Sequence, residues 1–187
     1  MPRQRPRPGL SLLGLGILAL LLSGCGSWSW GRRSAGPVGW GAADRQDPAL
    51  SGNGRVLASV VRRDGRDTVL LQEQPSGTVL PLRHFGRLQP HRSPSLSWNG
   101  RYLALLVQEG PERRVMIEDR ATGRLHRLPL PGGLVPESLS LGSDGRRIAI
   151  AMEGDGRSRV QLYDLTALLE PDLPAGLPVR GAPGAAP

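Results

Sequence analysis

The sequence contains no lysine and very few aromatic residues. Arginine supplies all 24 positive charges, against 16 carboxylates, and Phe, Trp and Tyr together make up 4% of the chain. A core with so few rings must be built mainly from Leu, Val, Ile and Ala. Without lysine the chain has no phosphate-binding loop of the Gly-x-x-x-x-Gly-Lys type. The arginines are scattered and form no dense run, so the basic balance does not predict nucleic-acid binding.

The residue patterns of common catalytic and metal sites are also missing. No Gly-x-Ser-x-Gly occurs, which excludes the nucleophile turn of an α/β-hydrolase. His84, His91 and His126 lack the mutual spacing of zinc ligands, and we expect them to be surface or loop residues. The segments 64–67 and 154–156 lack the alternating carboxylates of a calcium loop and are interpreted as hairpin turns. The sequence therefore predicts a protein that is not an enzyme, with no metal and no cofactor.

A single cysteine, Cys25, cannot close an intramolecular disulfide. It follows an apolar run at residues 10–22, behind a basic start, that is shorter than the roughly 20 residues needed to cross a bilayer. This order is typical of an export signal peptide. The segment Leu22-Ser23-Gly24-Cys25 resembles the bacterial lipobox. The resemblance implies diacylglyceryl transfer to the Cys25 thiol and cleavage before it; an ordinary secretory signal cut nearby is the alternative.

The residues after Cys25 bear on location. Residue 26 is Gly, whereas in the lipoproteins that this segment resembles an Asp there tends to retain the protein at the inner membrane. The resemblance thus implies an exported protein, lipid-anchored at the periplasmic face of the outer membrane. We assign residues 1–24 to the signal peptide and 25–46 to a flexible linker. Its tryptophans either sit among lipid headgroups or pack against the domain: Trp28, Trp30 and Trp40.

The remaining chain contains one sequence segment that occurs three times. The segment at 50–58 returns at 96–104 and 141–149, and its turn glycines, Gly54, Gly100 and Gly145, are 46 and 45 residues apart. A fixed period of this size predicts a repeat architecture. Asn-Gly or Asp-Gly at each turn predicts a tight hairpin, because both residues tolerate positive φ. Further strands are predicted at 56–62, 68–72, 102–108, 114–118, 148–153 and 159–163, and a further turn and strand at 76–82 and at 122–128.

Four short antiparallel strands in 40–45 residues are the pattern of a β-propeller blade. Residues 48–58 resemble the TolB-type propeller repeat, Pro-x-Leu-Ser-x-Asp-Gly-Arg-x-Leu-Ala, although Asn replaces Asp in the first two turns. The resemblance implies an all-β domain at 47–173 with three four-stranded blades, at about 47–90, 91–133 and 134–173. In the third unit the glycine before the fourth strand is missing, so residues 164–169 could instead form a helical turn.

The chain after Glu170 is rich in Pro, Gly and Ala, and we expect no fixed fold there, with a tail assigned to 174–187; a docked extended strand is the alternative. Closed propellers typically need at least four blades. Three blades therefore leave three outcomes: an incomplete propeller, two chains forming six blades, or a partner covering the open side. We favour the monomeric partial propeller, capped by the linker or the tail; a homodimer is possible.

Candidate binding residues recur with the repeats. Arg55, Arg101 and Arg146 occupy equal positions, and equal positions of a propeller gather at one rim. They would form a cationic binding rim with Trp98 as a stacking platform, or else solvated turn residues and an inter-blade packing residue. The TolB resemblance implies a role in envelope integrity or translocation. We therefore predict a non-enzymatic interaction module that binds the membrane through lipid on Cys25 and binds envelope proteins. The alternative is a periplasmic protein that binds a ligand or glycan at the propeller mouth.

Overall fold

The computed structural model describes residues 44–74, 76–85 and 89–174. The predicted signal peptide, Cys25, the linker up to residue 43 and the tail from residue 175 lie outside this part. The described part of the chain forms eleven strands, and it contains no helix that could cross a membrane.

The strands form three antiparallel sheets in which consecutive strands pair. The first two sheets have four strands each and the third has three. This confirms the all-β fold of propeller-like blades, and the propeller is partial. The strands are β1 (Arg45–Leu50), β2 (Val56–Arg63), β3 (Arg66–Glu73), β4 (Val79–Leu80), β5 (His91–Leu96), β6 (Tyr102–Glu109), β7 (Glu112–Asp119), β8 (Arg124–Leu128), β9 (Val135–Leu141), β10 (Arg147–Gly154) and β11 (Arg157–Asp164).

Two kinds of turn reverse the chain. Between β2 and β3, Asp64 and Gly65 have φ of 50° and 75°, as a two-residue type I′ turn requires. The turn between β1 and β2 was expected to be of the same kind, but only its glycine takes a positive φ, +71° at Gly54. There the amide of Gly54 donates to the Ser51 carbonyl at 2.8 Å, and the turn is longer. The paired strands lie where the sequence predicts. The two-residue turns, however, join the second strand of each blade to its third strand, and not the first strand to the second.

The hydrophobic core lies between the sheets, which we call blades 1, 2 and 3. Successive residues of a strand face opposite sides. Blade 2 is covered on both faces, and Tyr102 through Val107 in β6 are therefore all buried, each at 1% exposure or less. The first interface packs Val56, Ala58, Val60, Val69 and Leu71 against Leu96, Leu103, Leu105, Val107 and Met116. The second packs Tyr102, Ala104, Leu106, Val115 and Ile117 against Leu139, Leu141, Ile148, Ile150 and Met152.

Backbone hydrogen bonds join the turn before the second strand of each blade to the corresponding turn of the next blade. The amide of Asn53 donates to the Trp98 carbonyl at 2.9 Å, and the amide of Trp98 donates to the Ser143 carbonyl at 2.6 Å. At the inner strands, the Ser93 hydroxyl accepts from the Leu139 amide at 2.9 Å. These contacts join each blade's first strand and turn to those of the next blade.

The chain after β11 departs from the first two repeats. The amides of Leu168 and Leu169 both donate to the Leu165 carbonyl at 2.8 Å, which forms the helical turn considered above in place of a fourth strand. The expectation of no fixed fold after Glu170 is wrong for residues 171–173. Asp172 is only 5% exposed and accepts hydrogen bonds from the Ser97 hydroxyl at 2.5 Å and the Asn99 amide at 2.8 Å.

His91 is a core residue, contrary to the expectation of a surface or loop position. It begins β5 with no exposed surface, and its ring meets Phe85 edge to face at 5.4 Å. Burial lowers the pKa of His91 to about 4, because the charged imidazolium would lose its hydration there. Its burial at the start of β5 makes protonation unfavourable to the fold.

We predict that His91 makes the fold sensitive to mild acid. Its folded pKa lies below the unfolded value of 6.5, so this stability is present above pH 6.5 and is lost as pH falls towards 4. Between pH 7.5 and 5 the free energy of unfolding should fall by about 1–2 kcal/mol more in the native chain than in His91→Gln. Denaturant unfolding at both pH values measures this. An equal fall in the two proteins would contradict the assignment.

Candidate functional site

The predicted rim arginines each stand just before the second strand of a blade, and Arg101 has the most complete surroundings. Its guanidinium donates to both carboxylate oxygens of Asp119, at 3.1 and 3.0 Å, and to Glu170 at 2.9 Å. The guanidinium carbon lies 4.9 Å from the centre of the Tyr102 ring. Burial alone would raise the pKa of Asp119, but hydrogen bonds from Arg101 and Thr122 hold it down at about 2. Arg101 is thus held by Asp119 of its own blade and by Glu170 from the segment after β11.

The equivalent arginines also face acids 18 residues further along. Arg55, whose side chain is 71% exposed, lies 3.8 Å from Glu73. In blade 3 the acid at the equivalent position is Asp164, whose pKa is lowered by hydrogen bonding to Thr166 and, to a smaller extent, by the charges of Arg147 and Arg146. In blades 1 and 2 a carboxylate at the end of the third strand therefore pairs with the arginine at the start of the second strand. The 18-residue spacing of arginine and acid was the sequence signal for these pairs, and sequence reasoning missed it.

Trp98 lies at the contact between blades 1 and 2 and is half-buried. A Cβ atom at Gly52 would come within 2.4 Å of its ring, so the indole packs directly on the bare backbone of the preceding turn. Gly100 is packed in the same way, since a Cβ there would lie 2.9 Å from Val56. The position of Trp98 matches the inter-blade packing alternative considered for it.

The remaining histidines do not converge on a site. The His84 ring lies 2.6 Å from the Gly123 carbonyl, and His126 lies in β8, as the sequence predicts. Within residues 44–74, 76–85 and 89–174, no three His, Cys, Asp or Glu side chains group closely enough to hold a metal ion.

We predict unequal costs for breaking the equivalent ion pairs. The Asp119 side chain is 6% exposed, whereas that of Glu73 is 40% exposed. Asp119→Asn should lower the free energy of unfolding by about 1–3 kcal/mol, because it weakens a desolvated pair with several donors. Glu73→Gln, the matched change in blade 1, should cost about 0.5 kcal/mol or less. Urea unfolding at neutral pH tests both; equal losses would contradict this ranking.

The back of blade 3 carries apolar side chains that the earlier blades bury. Val69 and Val115, which lie at equal positions, are 4% and 0% exposed, whereas Val160 is 76% exposed. Two residues further along β11, on the same face, Leu162 is 65% exposed. In blades 1 and 2 the next blade covers these positions. We call this surface of Val160 and Leu162 the open back.

Other positions of the open back are reduced in size. Ala151 pairs with Val160 in the ladder and stands where blade 2 has Leu106. Ser138 and Ser140 face Ala151 and Ala149 from β9. The surface is thus less apolar than an internal blade face, but it keeps two large aliphatic side chains.

The front of blade 1 is closed instead. Val61 and Leu70 are 4% and 7% exposed, although Leu50 at the margin is exposed. Ser59 replaces the leucine that blade 2 has at position 105. Arg45 donates to Gln72 at 2.5 Å and to Ser59 at 3.3 Å. The two ends of the blade stack are therefore different surfaces.

The fold has relatives among solved propellers. No protein-family model and no curated protein sequence matches this chain. A putative TolB from Agrobacterium tumefaciens is 14% identical with a TM-score of 0.56, and the match covers 65% of this chain and 46% of that one. TolB from Acinetobacter baumannii is 17% identical with a TM-score of 0.52, covering 64% and 30%. The β-propeller domain of the Trilobed protease from Pyrococcus furiosus is 17% identical with a TM-score of 0.52, covering 70% and 41%.

These likenesses establish a TolB-like propeller fold. The chain spans between 30% and 46% of the length of the structures it matches. One of them is a propeller domain of a protease, so the fold occurs in enzymes as well as elsewhere. What the chain does must therefore be argued from its own surfaces.

Proposed function

We propose that this chain is a non-enzymatic protein-interaction module, a partial TolB-like propeller carried at the cell envelope by lipid on Cys25. The open back of blade 3 carries the proposal. Val160 and Leu162 are largely exposed, although the equivalent side chains of both preceding blades are buried. Exposed aliphatic side chains grouped on one sheet face mark a surface that another protein covers.

The chain's own interfaces indicate what such a partner presents. Behind Val115 and Ile117, the equivalents of Val160 and Leu162, lie aliphatic side chains of the next blade such as Ile148. The partner should therefore offer a flat sheet face rich in Leu, Ile or Met. A second copy fits less well, because the front of blade 1 is already closed. We assign the open back to a different envelope protein.

The cell-envelope part of the proposal rests on the N-terminal sequence. Leu22-Ser23-Gly24-Cys25 follows an apolar segment of export-signal length, and Gly26 follows the cysteine. Two or three acyl chains give stable anchoring where a single chain does not. An anchored module binds partners within the plane of one membrane, and we place it at the periplasmic face of the outer membrane.

The open back should be needed for partner binding. A photoreactive residue at position 160 of the full chain should crosslink in cells to one envelope protein. That protein, once purified, should bind the chain at least about tenfold more weakly after Leu162→Asp, because the change puts a charge into an apolar contact. Val79→Asp is the matched control, since Val79 is 54% exposed on β4, and it should bind normally. Crosslinks only between copies of the chain, or equal losses in both variants, would reject this assignment.

The lipid anchor has its own test. The native chain should fractionate with membranes, with its N-terminus at Cys25 and a mass increased by acyl chains. Cys25→Ser removes the thiol that accepts the lipid, so this variant should leave the membrane fraction or remain at precursor size. Cell fractionation followed by mass spectrometry measures both. A mature-size Cys25→Ser protein that still fractionates with membranes would show that Cys25 is not the anchor.

A further inference from the structure

A cleft between blades 1 and 2 is lined by arginines from both. It encloses about 340 Å³ at the β2–β3 hairpin, and its arginines are Arg62, Arg66, Arg92 and Arg113. A second cavity of about 360 Å³ shares Arg62 and Arg92 with it and adds Arg45. We call this the arginine cleft. It lies at the opposite end of β2 from Arg55, about 20 Å away at the usual rise per strand residue.

Three of these arginines lack a protein partner. Within the part of the chain that the structure describes, the side chains of Arg62, Arg66 and Arg92 make no ion pair within 4.0 Å and no hydrogen bond, and all three residues are exposed. Arg113, by contrast, lies 2.6 Å from Glu137. The repeat thus pairs several of its arginines with acids and leaves these three free at one place.

The charge is specific to this interface and is not a property of the repeat. Forty-six residues after Arg62, Arg66 and Arg92 stand Gln108, Glu112 and Ser138, at the corresponding places between blades 2 and 3. The five arginines around the two cavities are accompanied by Asp44 and Asp67, and by Glu137 on Arg113, which leaves an excess of two positive charges. Like charges held this close repel one another. An anion in the cleft would relieve that repulsion.

We propose that the arginine cleft binds a phosphate-type dianion, such as a phosphate monoester or a diphosphate. A guanidinium donates two parallel hydrogen bonds to a carboxylate or a phosphate. One carboxylate satisfies one such fork, whereas a phosphate group has enough oxygens for several. The enclosed volume lies at the lower end of the range for small-ligand sites. Pro90 also lines the cavity.

The test is calorimetric titration of the full chain with pyrophosphate at low salt. The native chain should bind it saturably, and binding should weaken as salt is added. The double variant Arg62→Gln/Arg92→Gln should bind at least about tenfold more weakly, since each removes charged hydrogen bonds. The control Arg124→Gln/Arg159→Gln loses the same charge from exposed positions outside the cleft and should bind like the native chain. Thermal unfolding of both variants should match the native chain.

Vesicle binding distinguishes a lipid headgroup from a soluble phosphate compound, and a comparison with malonate distinguishes a phosphate from a dicarboxylate. Vesicles of phosphatidic acid, whose headgroup is a phosphate monoester, would identify a lipid headgroup if they bind more of the chain than phosphatidylcholine vesicles do and if pyrophosphate displaces the excess. Pyrophosphate binding without vesicle binding would identify a soluble phosphate compound, and either result supports the site. Malonate binding as tightly as pyrophosphate, no saturable binding, or equal losses in the two double variants would overturn the proposal. Leu162→Asp should leave pyrophosphate binding unchanged, so failure here is distinct from failure at the open back.

Discussion

The structure depends on the covering of each sheet face by the next sheet. A four-stranded meander of this composition has apolar residues on both faces and cannot bury either alone. Blade 2 is the unit in which both faces are covered, and there β6 is buried from Tyr102 to Val107. The inter-blade hydrogen bonds, the glycines under Trp98 and Val56, and the docking of Asp172 onto Ser97 all follow from this stacking. What happens at the two ends of the stack then determines which surfaces are left for binding.

The two ends meet this constraint differently. At the front, Ser59 replaces a leucine, Arg45 bonds across the face, and Val61 and Leu70 are buried, so little apolar surface is exposed there. At the back, Ala151 lowers the apolar area, but Val160 and Leu162 remain at full size. Terminal repeats usually become polar on their outer side, since nothing covers it. A terminal face that keeps its large aliphatic residues is therefore a better docking candidate than one that has lost them.

Much of the fold could be predicted because the turns and strands of each repeat are specified by short segments of sequence. The period fixes the turns, and alternation within each strand fixes the faces. The burial of His91 was missed because it depends on Phe85, which reaches it from the segment before β5. Asp172 was missed because its partner, Ser97, is 75 residues away and the tail's composition is typical of disorder. Contacts between distant segments leave no periodic signal.

The arginine cleft is another contact between distant segments that the sequence pattern does not reveal. Sequence position groups Arg55, Arg101 and Arg146, and the fold pairs Arg55 and Arg101 with acids of their own blades. The fold instead brings Arg62 and Arg92, from different blades, to one cleft where no acid of the described residues pairs with them. An arginine that is paired within its blade stabilises the blade, and binding an anion there would require breaking that pair. Free positive charge is therefore the better criterion for a site. It selects the arginine cleft, which shares no residue with the open back, so both can be occupied at once.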